Sequence, residues 1–154
     1  MRLGDALSPE DRLQYIRERL VPGAIFHYYC EFTNPAKHKF IVIGRALPPT
    51  IVFLINSDIS PWLQARPHLR DCQVGLLKSD HNDFLTHDSF LDCTQGERRV
   101  SLEQLEQAMM EDVMNFKGWL TAREREAVFY AVGVCRTLSA QEKIWLAEAL
   151  SFQE

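Results

Sequence analysis

The segment SDHNDFLTHDSFLDC, residues 79–93, contains two histidines, four aspartates and one cysteine. These residue types bind transition metals and transfer protons. A metal site would need three or four of them to converge, and the candidates are His81, Asp83, His87 and Cys93. Their spacing matches no compact zinc motif, because it contains neither a C-x-x-C pair nor a helical H-x-x-x-H pair. The segment therefore favours a polar turn that leads into a strand at Ser89, with a metal-dependent hydrolase as the weaker alternative.

A second group of reactive side chains is the basic run Lys37-His38-Lys39, which directly precedes aliphatic residues. A lysine or histidine at a strand start can bind phosphate oxygens, and it can also serve as an acid, a base or a stabiliser of negative charge. The alternative is a solvated end of a hairpin. The run is thus a candidate phosphate site.

A third group lies in SPWLQARPHLR, where Arg66, His68 and Arg70 are close to Trp62. Basic residues interleaved with an aromatic suit a single-stranded nucleic acid, because the cations hold the backbone while a base stacks on the ring. The alternative is a surface connector whose Trp62 is tucked into the core.

The elements that would position these residues begin with an N-terminal helix capped by Ser8 and ended by Pro22-Gly23. The segment GAIFHYYCEFT then alternates with a period of two, which predicts a strand. KFIVIGR predicts a second strand, and TIVFLINS predicts a third strand that is buried on both faces, or nearly so. Residues 72–77 and 89–93 are two further strand candidates. Five short strands with tight turns favour a small barrel.

After Gly96 the pattern becomes helical. A capping box at Ser101 opens an apolar stripe that predicts one helix from Leu102 to Phe116, ended by Gly118. Two more capping boxes, at Thr121 and Ser139, open two further helices. The sequence therefore predicts one α+β domain, with an N-terminal helix (1–21), a small β-barrel (22–100) and a helical extension (101–154).

The composition is that of an ordinary globular chain of 154 residues, with a formal net charge of −4. That charge argues against broad nucleic-acid binding, although a local basic groove stays compatible with it. The four cysteines are far apart and are expected to be reduced core thiols. The longest aliphatic and aromatic run, Ile51 to Ile55, is too short to cross a bilayer, and the start lacks a secretion signal. We therefore expect a cytoplasmic protein.

Several of these segments together resemble the PemK/MazF toxin family, in the order of their elements, from about residue 21 to residue 150. The segments are Gly23-Ala24-Ile25, KHKFIVIG, TIVFLINS, DSFLDC and the last helix from Leu138-Ser139 to Ala149-Leu150. The resemblance implies an SH3-like barrel that is usually a homodimer. It also implies a ribonuclease that cleaves single-stranded RNA without a metal or other cofactor, and an antitoxin partner.

The resemblance also assigns site residues. The family has an arginine followed by a proline at the start of the second strand, where this chain has Lys39 and Phe40. It has a hydroxyl residue at the end of the third strand, where this chain has Asn56 followed by Ser57. Lys39 would stabilise the charged phosphorane, His38 would act as acid or base, and Asn56 with Ser57 would position the phosphate. Flanking phosphates would be held by Lys37, Arg66 and Arg70.

A different class of function is a non-catalytic SH3-like barrel that binds a protein partner. The acidic balance and the lysine in place of arginine favour it, and so do apolar residues of the helical tail that look exposed, namely Phe129, Tyr130 and Trp145.

Overall fold

The computed structural model describes residues 7–151 and shows a mixed α+β fold. One antiparallel sheet of six strands curls into a half-barrel. The strands are β1 (Ala24–Cys30), β2 (Lys37–Arg45), β3 (Ile51–Asn56), β4 (Gln73–Leu76), β5 (Ser89–Glu97) and β6 (Phe116–Trp119). Their order across the sheet is β4-β5-β3-β2-β1-β6. The predicted α+β class is confirmed, whereas the SH3-like assignment and the division into domains stay predictions.

Within residues 7–151, six α-helices accompany the sheet. They are α1 (Pro9–Arg19), α2 (Pro61–Gln64), α3 (Pro67–Arg70), α4 (Leu102–Glu111), α5 (Ala122–Val134) and α6 (Ala140–Ser151). Short 3₁₀ turns lie at Lys78–Asp80 and Val113–Asn115. The predicted caps are present: Ser8 accepts a hydrogen bond from the Asp11 amide, and the boxes at Ser101, Thr121 and Ser139 are formed in both directions.

The sheet has helices on both faces, and this arrangement explains the sequence pattern of its central strands. Ile51 and Phe53 of β3 pack into a cluster shared with α5 and α6, whereas Val52 packs into a second cluster shared with α1 and α4. Because successive residues of a strand point to opposite faces, a strand covered on both sides must be apolar throughout. The prediction that TIVFLINS is buried on both faces is confirmed.

Helix α6 lies directly on β2 at Gly44. A Cβ atom at that position would lie 2.8 Å from Leu146 Cδ2 and 2.8 Å from Phe53 Cε2. A side chain there would force the Leu146 or Phe53 side chain to shift, so the bare backbone of Gly44 lets both pack directly against β2.

The predicted helix from Leu102 to Phe116 is wrong in its last third, residues 112–116. Helix α4 ends at Glu111, and the side chain of Asp112 accepts a hydrogen bond from the Met114 amide in the 3₁₀ turn that follows. Phe116 then begins β6, which pairs with β1, and its ring meets that of Phe26 at 5.6 Å. An apolar stripe does not separate a long helix from a helix followed by an edge strand, and pairing with β1 decides the outcome.

Candidate functional site

The candidate site is a cavity of about 280 Å³ at the rim of the sheet, where β2 begins and β3 ends. Five of the residues predicted to be functional line it, namely Lys37, His38, Lys39, Asn56 and Ser57. Consecutive strand residues point to opposite faces, but both faces border the cavity because it lies at the strand ends. The structure therefore brings the basic run and the polar end of β3 together.

Lys39 and Asn56 are in direct contact. They lie two residues beyond the Ile41–Leu54 pair on adjacent antiparallel strands, and the Lys39 Nζ donates a hydrogen bond to the Asn56 Oδ1. Burial is the main reason that the pKa of Lys39 is lowered, and the charge of Lys37 lowers it further. The amide thus holds the ammonium group in place without neutralising its charge.

His38 stacks on a second histidine, His27 of β1. The centres of the two imidazole rings lie 4.9 Å apart, and the ring planes are nearly parallel, at 4°. The Tyr29 ring contacts the His38 ring edge-on, with 4.9 Å between their centres. Burial lowers the pKa of His27, with further contributions from His38 and Lys117. A lowered pKa keeps His27 neutral at pH 7, in the form that accepts a proton.

The opposite wall of the cavity is the loop between the Lys78–Asp80 turn and β5, which contributes Phe84 and His87. The ring of Phe84 lies 4.8 Å from that of Phe40 on β2. The His87 Nδ1 is 3.0 Å from the carbonyl oxygen of Asp88. Because a carbonyl only accepts, this contact places the hydrogen on Nδ1 and leaves Nε2 with a lone pair in the neutral ring.

A buried pair fastens this loop to α5. The His81 Nε2 lies 2.8 and 2.9 Å from the two carboxylate oxygens of Glu124, which is 0% exposed. The same carboxylate accepts the Thr121 amide in the capping box of α5. His81 therefore has a structural partner 43 residues away.

The metal alternative finds no set of ligands in residues 7–151, where no three His, Cys, Asp or Glu side chains are placed to hold an ion. His81 is bound to Glu124, whereas Asp83 and His87 are exposed. Cys93 is a core residue whose pKa burial raises well above its ordinary value. The segment is a polar loop leading into β5, as its turn chemistry predicted.

Of the two arginines predicted to bind substrate, Arg66 lies between α2 and α3 and Arg70 ends α3, and neither lines the cavity. The Arg66 guanidinium lies 4.0 Å from the centre of the Trp62 ring and donates to the Trp62 carbonyl. Arg70 is exposed. Trp62 is 58% exposed, so the alternative that tucked it into the core is wrong.

Sequence reasoning missed His27 and Phe84 as cavity residues, and it considered His87 only as a metal ligand. His27 comes next to His38 through the β1–β2 register, in which Tyr29 is opposite His38 and His27 is opposite Phe40. The turn signal at Asn34-Pro35 would have suggested a register shifted by two residues, because the observed pairs are centred between Thr33 and Asn34. No pattern within the loop sequence indicates that the loop folds over the rim of the sheet. The residue that holds it there through His81 is Glu124, which lies 43 residues away on α5.

Comparison with protein-family models, with curated proteins and with solved structures finds no match. The resemblance to the PemK/MazF family thus stays a prediction. In the described part of the chain, no helix has the length and apolar character needed to cross a membrane.

Proposed function

We propose that this protein is a metal-independent endoribonuclease that acts on single-stranded RNA, as a PemK/MazF-like toxin would. One observation carries the proposal: His27, His38 and His87 share a cavity with Lys37 and Lys39. Imidazoles supply proton transfer near neutral pH, and fixed cations stabilise a developing phosphorane, so this set needs no metal ion.

The reaction is attack of a ribose 2′-oxygen on the adjacent phosphorus, with cleavage of the bond to the 5′-oxygen. A neutral imidazole takes the 2′-hydroxyl proton, and His87 Nε2 and His27 are the candidates. His38, in its protonated form, donates a proton to the departing 5′-oxygen. Lys39, held by Asn56, would stabilise the negative charge that develops on the non-bridging phosphorane oxygens. The products are a 2′,3′-cyclic phosphate and a 5′-hydroxyl, and no net proton is consumed.

The aromatic residues of the cavity favour a single strand. Phe40 and Phe84 pack against each other at 4.8 Å and border the cavity, and Tyr29 is 46% exposed beside His38. Unpaired bases stack on such rings while lysines hold the backbone. A paired base would have to leave its helix to enter a cavity of about 280 Å³.

The direct test incubates pure protein with single-stranded RNA in the presence of a chelator. We expect cyclic-phosphate products, a loss of at least about a hundredfold in rate in Lys39→Ala and His38→Ala, and full cleavage of a dinucleotide substrate in His68→Ala. His68 is an exposed histidine outside the cavity and serves as the matched control. An RNA with a 2′-O-methyl group at the cleaved position should be inert. Intact RNA, or cleavage retained by both cavity variants, would refute the proposal.

A role as substrate-binding residues for Arg66 and Arg70 is part of the same proposal. Because they lie outside the cavity, Arg66→Ala and Arg70→Ala should weaken cleavage of long oligonucleotides and leave dinucleotide cleavage unchanged. Equal effects on both substrates would assign them a structural role instead.

The toxin assignment, the antitoxin partner and the homodimer are tested in cells and in solution. Expression in the cytoplasm should arrest growth, and a small neighbouring reading frame should relieve the arrest. One chain has a mass of 17.8 kDa, and light scattering should give twice that mass for the homodimer. If expression does not arrest growth, the toxin assignment is refuted, whereas the ribonuclease activity is still decided by the cleavage assay.

The second candidate function is a barrel that binds a protein partner, and the surface of α5 favours it. Phe129 is 44% exposed and Tyr130 is 69% exposed on this helix. Trp145, which also looked exposed in the sequence, is half-buried and lies 4.6 Å from the Arg45 guanidinium. A Tyr130→Glu variant that keeps ribonuclease activity but loses a partner bound by the wild type would support this function.

A further inference from the structure

A second cavity, much larger than the candidate site, lies between the end of β2 and helices α5 and α6. Its volume is about 930 Å³, within the range of pockets that enclose small organic ligands. It shares no lining residue with the candidate site. We call it the Trp–Arg cleft after the residues that matter here: Leu47, Trp119, Trp145, Arg45, Arg125 and Glu148.

The apolar part of the Trp–Arg cleft is unusually open to solvent. Leu47, which follows β2, is 70% exposed, and Trp119 of β6 is 47% exposed; both line the cleft. Trp145 contributes a half-buried indole from α6. Large exposed apolar side chains that line a concavity favour a ligand with a flat, apolar body.

The polar part of the cleft is cationic. The Arg45 guanidinium is oriented by hydrogen bonds from its Nε to the Leu47 carbonyl (3.1 Å) and from its Nη2 to the Pro48 carbonyl (3.2 Å). A guanidinium has five N–H donors, so these contacts leave donors for a ligand. Arg125 is held by a 2.7 Å bond to the Pro22 carbonyl. Among the described residues that line the cleft, two are arginines and one, Glu148, carries a carboxylate, so the lining has a net positive charge.

We propose that the Trp–Arg cleft binds a small aromatic anion, with its ring system against Trp119 and Leu47 and its carboxylate or sulfonate on the guanidinium groups. Fixed guanidinium groups recognise such oxyanions by paired hydrogen bonds. This inference is independent of the proposed ribonuclease activity, because the two cavities use different residues.

The experiment compares two fluorescent probes that share a ring system. The first, 1-anilinonaphthalene-8-sulfonate, carries a sulfonate, and N-phenyl-1-naphthylamine lacks it. We expect one sulfonate probe per folded chain, bound about tenfold more tightly than the neutral probe, because one charge-assisted contact corresponds to about that factor. Equal affinity for both probes, or several probes per chain, would overturn the proposal.

Two substitutions locate the binding. Leu47→Glu places a carboxylate at the cleft and should weaken the sulfonate probe at least about tenfold. Met114→Glu makes the same change at a side chain that is 60% exposed outside the cleft, and it should leave the affinity unchanged. Equal responses of the two variants, or dimerisation that Leu47→Glu alone abolishes, would assign the cleft to something other than a small anion.

Arg45→Met tests the role of the charge. The preference for the sulfonate probe should fall to nearly equal affinities, with neutral-probe binding retained. A variant that keeps the full preference would refute the anion contact. If near-ultraviolet circular dichroism shows that Arg45→Met is unfolded, Leu47→Glu decides the question.

Discussion

At the residue scale, the contact between Lys39 and Asn56 makes the charge of one lysine adjustable. The amide oxygen accepts the Lys39 hydrogen bond without offering a charge, and burial lowers the pKa of Lys39 from 10.5. A lysine with a lowered pKa loses its proton at a lower pH than usual, so the proposed RNA cleavage should decline on the alkaline side below pH 10.5.

We predict that Asn56→Asp slows RNA cleavage at pH 7 at least about tenfold, because a carboxylate beside Lys39 cancels the attraction for phosphate. The same carboxylate raises the pKa of Lys39, so the alkaline decline should move to higher pH. The measurement is the pH–rate profile of both proteins. Asn56→Ala, which adds no charge, is the control, and an alkaline limb that does not move in Asn56→Asp would contradict the prediction.

A second residue-scale prediction concerns His27, whose folded pKa lies below 6.5. The unfolded chain therefore binds this proton more readily than the folded chain, so acidification from pH 7 through the folded pKa reduces stability. We expect His27→Gln to lose less of its urea midpoint than the wild type between pH 7.5 and pH 5. An acid loss in His27→Gln as large as in the wild type would disprove the assignment.

At the element scale, the loop that carries Phe84 and His87 depends on one helix residue. Glu124 binds His81 of the loop and also forms the capping box that starts α5. Loop placement and helix initiation are therefore coupled through a single buried carboxylate.

We predict that Glu124→Ala lowers the free energy of unfolding by about 3–5 kcal/mol, since removing one partner of a buried pair leaves the other without compensation. Gln104→Ala, which breaks the capping box of α4 at an exposed residue, should cost about 1 kcal/mol. Urea unfolding measures both values. Similar losses in the two variants would mean that the pair with His81 adds nothing beyond the cap.

The elements also show how far the sequence alone could reach. Alternation predicted β1, whereas continuous apolar runs predicted β2 and β3, whose central residues are buried on both faces of the sheet. Adjacent strands then placed Lys39 beside Asn56. The strand β6 was missed because Phe116 continues the apolar stripe of α4, and only pairing with β1 reveals it. The wall with His87 was missed because it depends on a contact between His81 and Glu124.

At the scale of the whole molecule, the four cysteines report on global unfolding. All four are free and buried, at Cys30, Cys72, Cys93 and Cys135. Burial, followed by a hydrogen bond with Cys135, raises the pKa of Cys72 to about 12, and burial also raises that of Cys30. Thiols of this kind react slowly, because the thiolate is the nucleophile.

We predict that Ellman's reagent modifies essentially none of the four thiols in the native protein at pH 8, and all four in concentrated urea. The dependence of the modification rate on urea should follow the unfolding curve measured by circular dichroism. A thiol that reacts fast without urea would show that part of the core opens independently of the rest.

The bare backbone at Gly44 links the depth of the sheet to the Trp–Arg cleft. The residues that follow Gly44, Arg45 to Leu47, line one side of that cleft. Leu146, which lies next to Gly44, is adjacent in sequence to Trp145 on the opposite side. Adding carbon atoms one at a time at position 44 would act as a wedge beneath α6. Substitutions at position 44, which does not line the cleft, should therefore change the distance between its two sides.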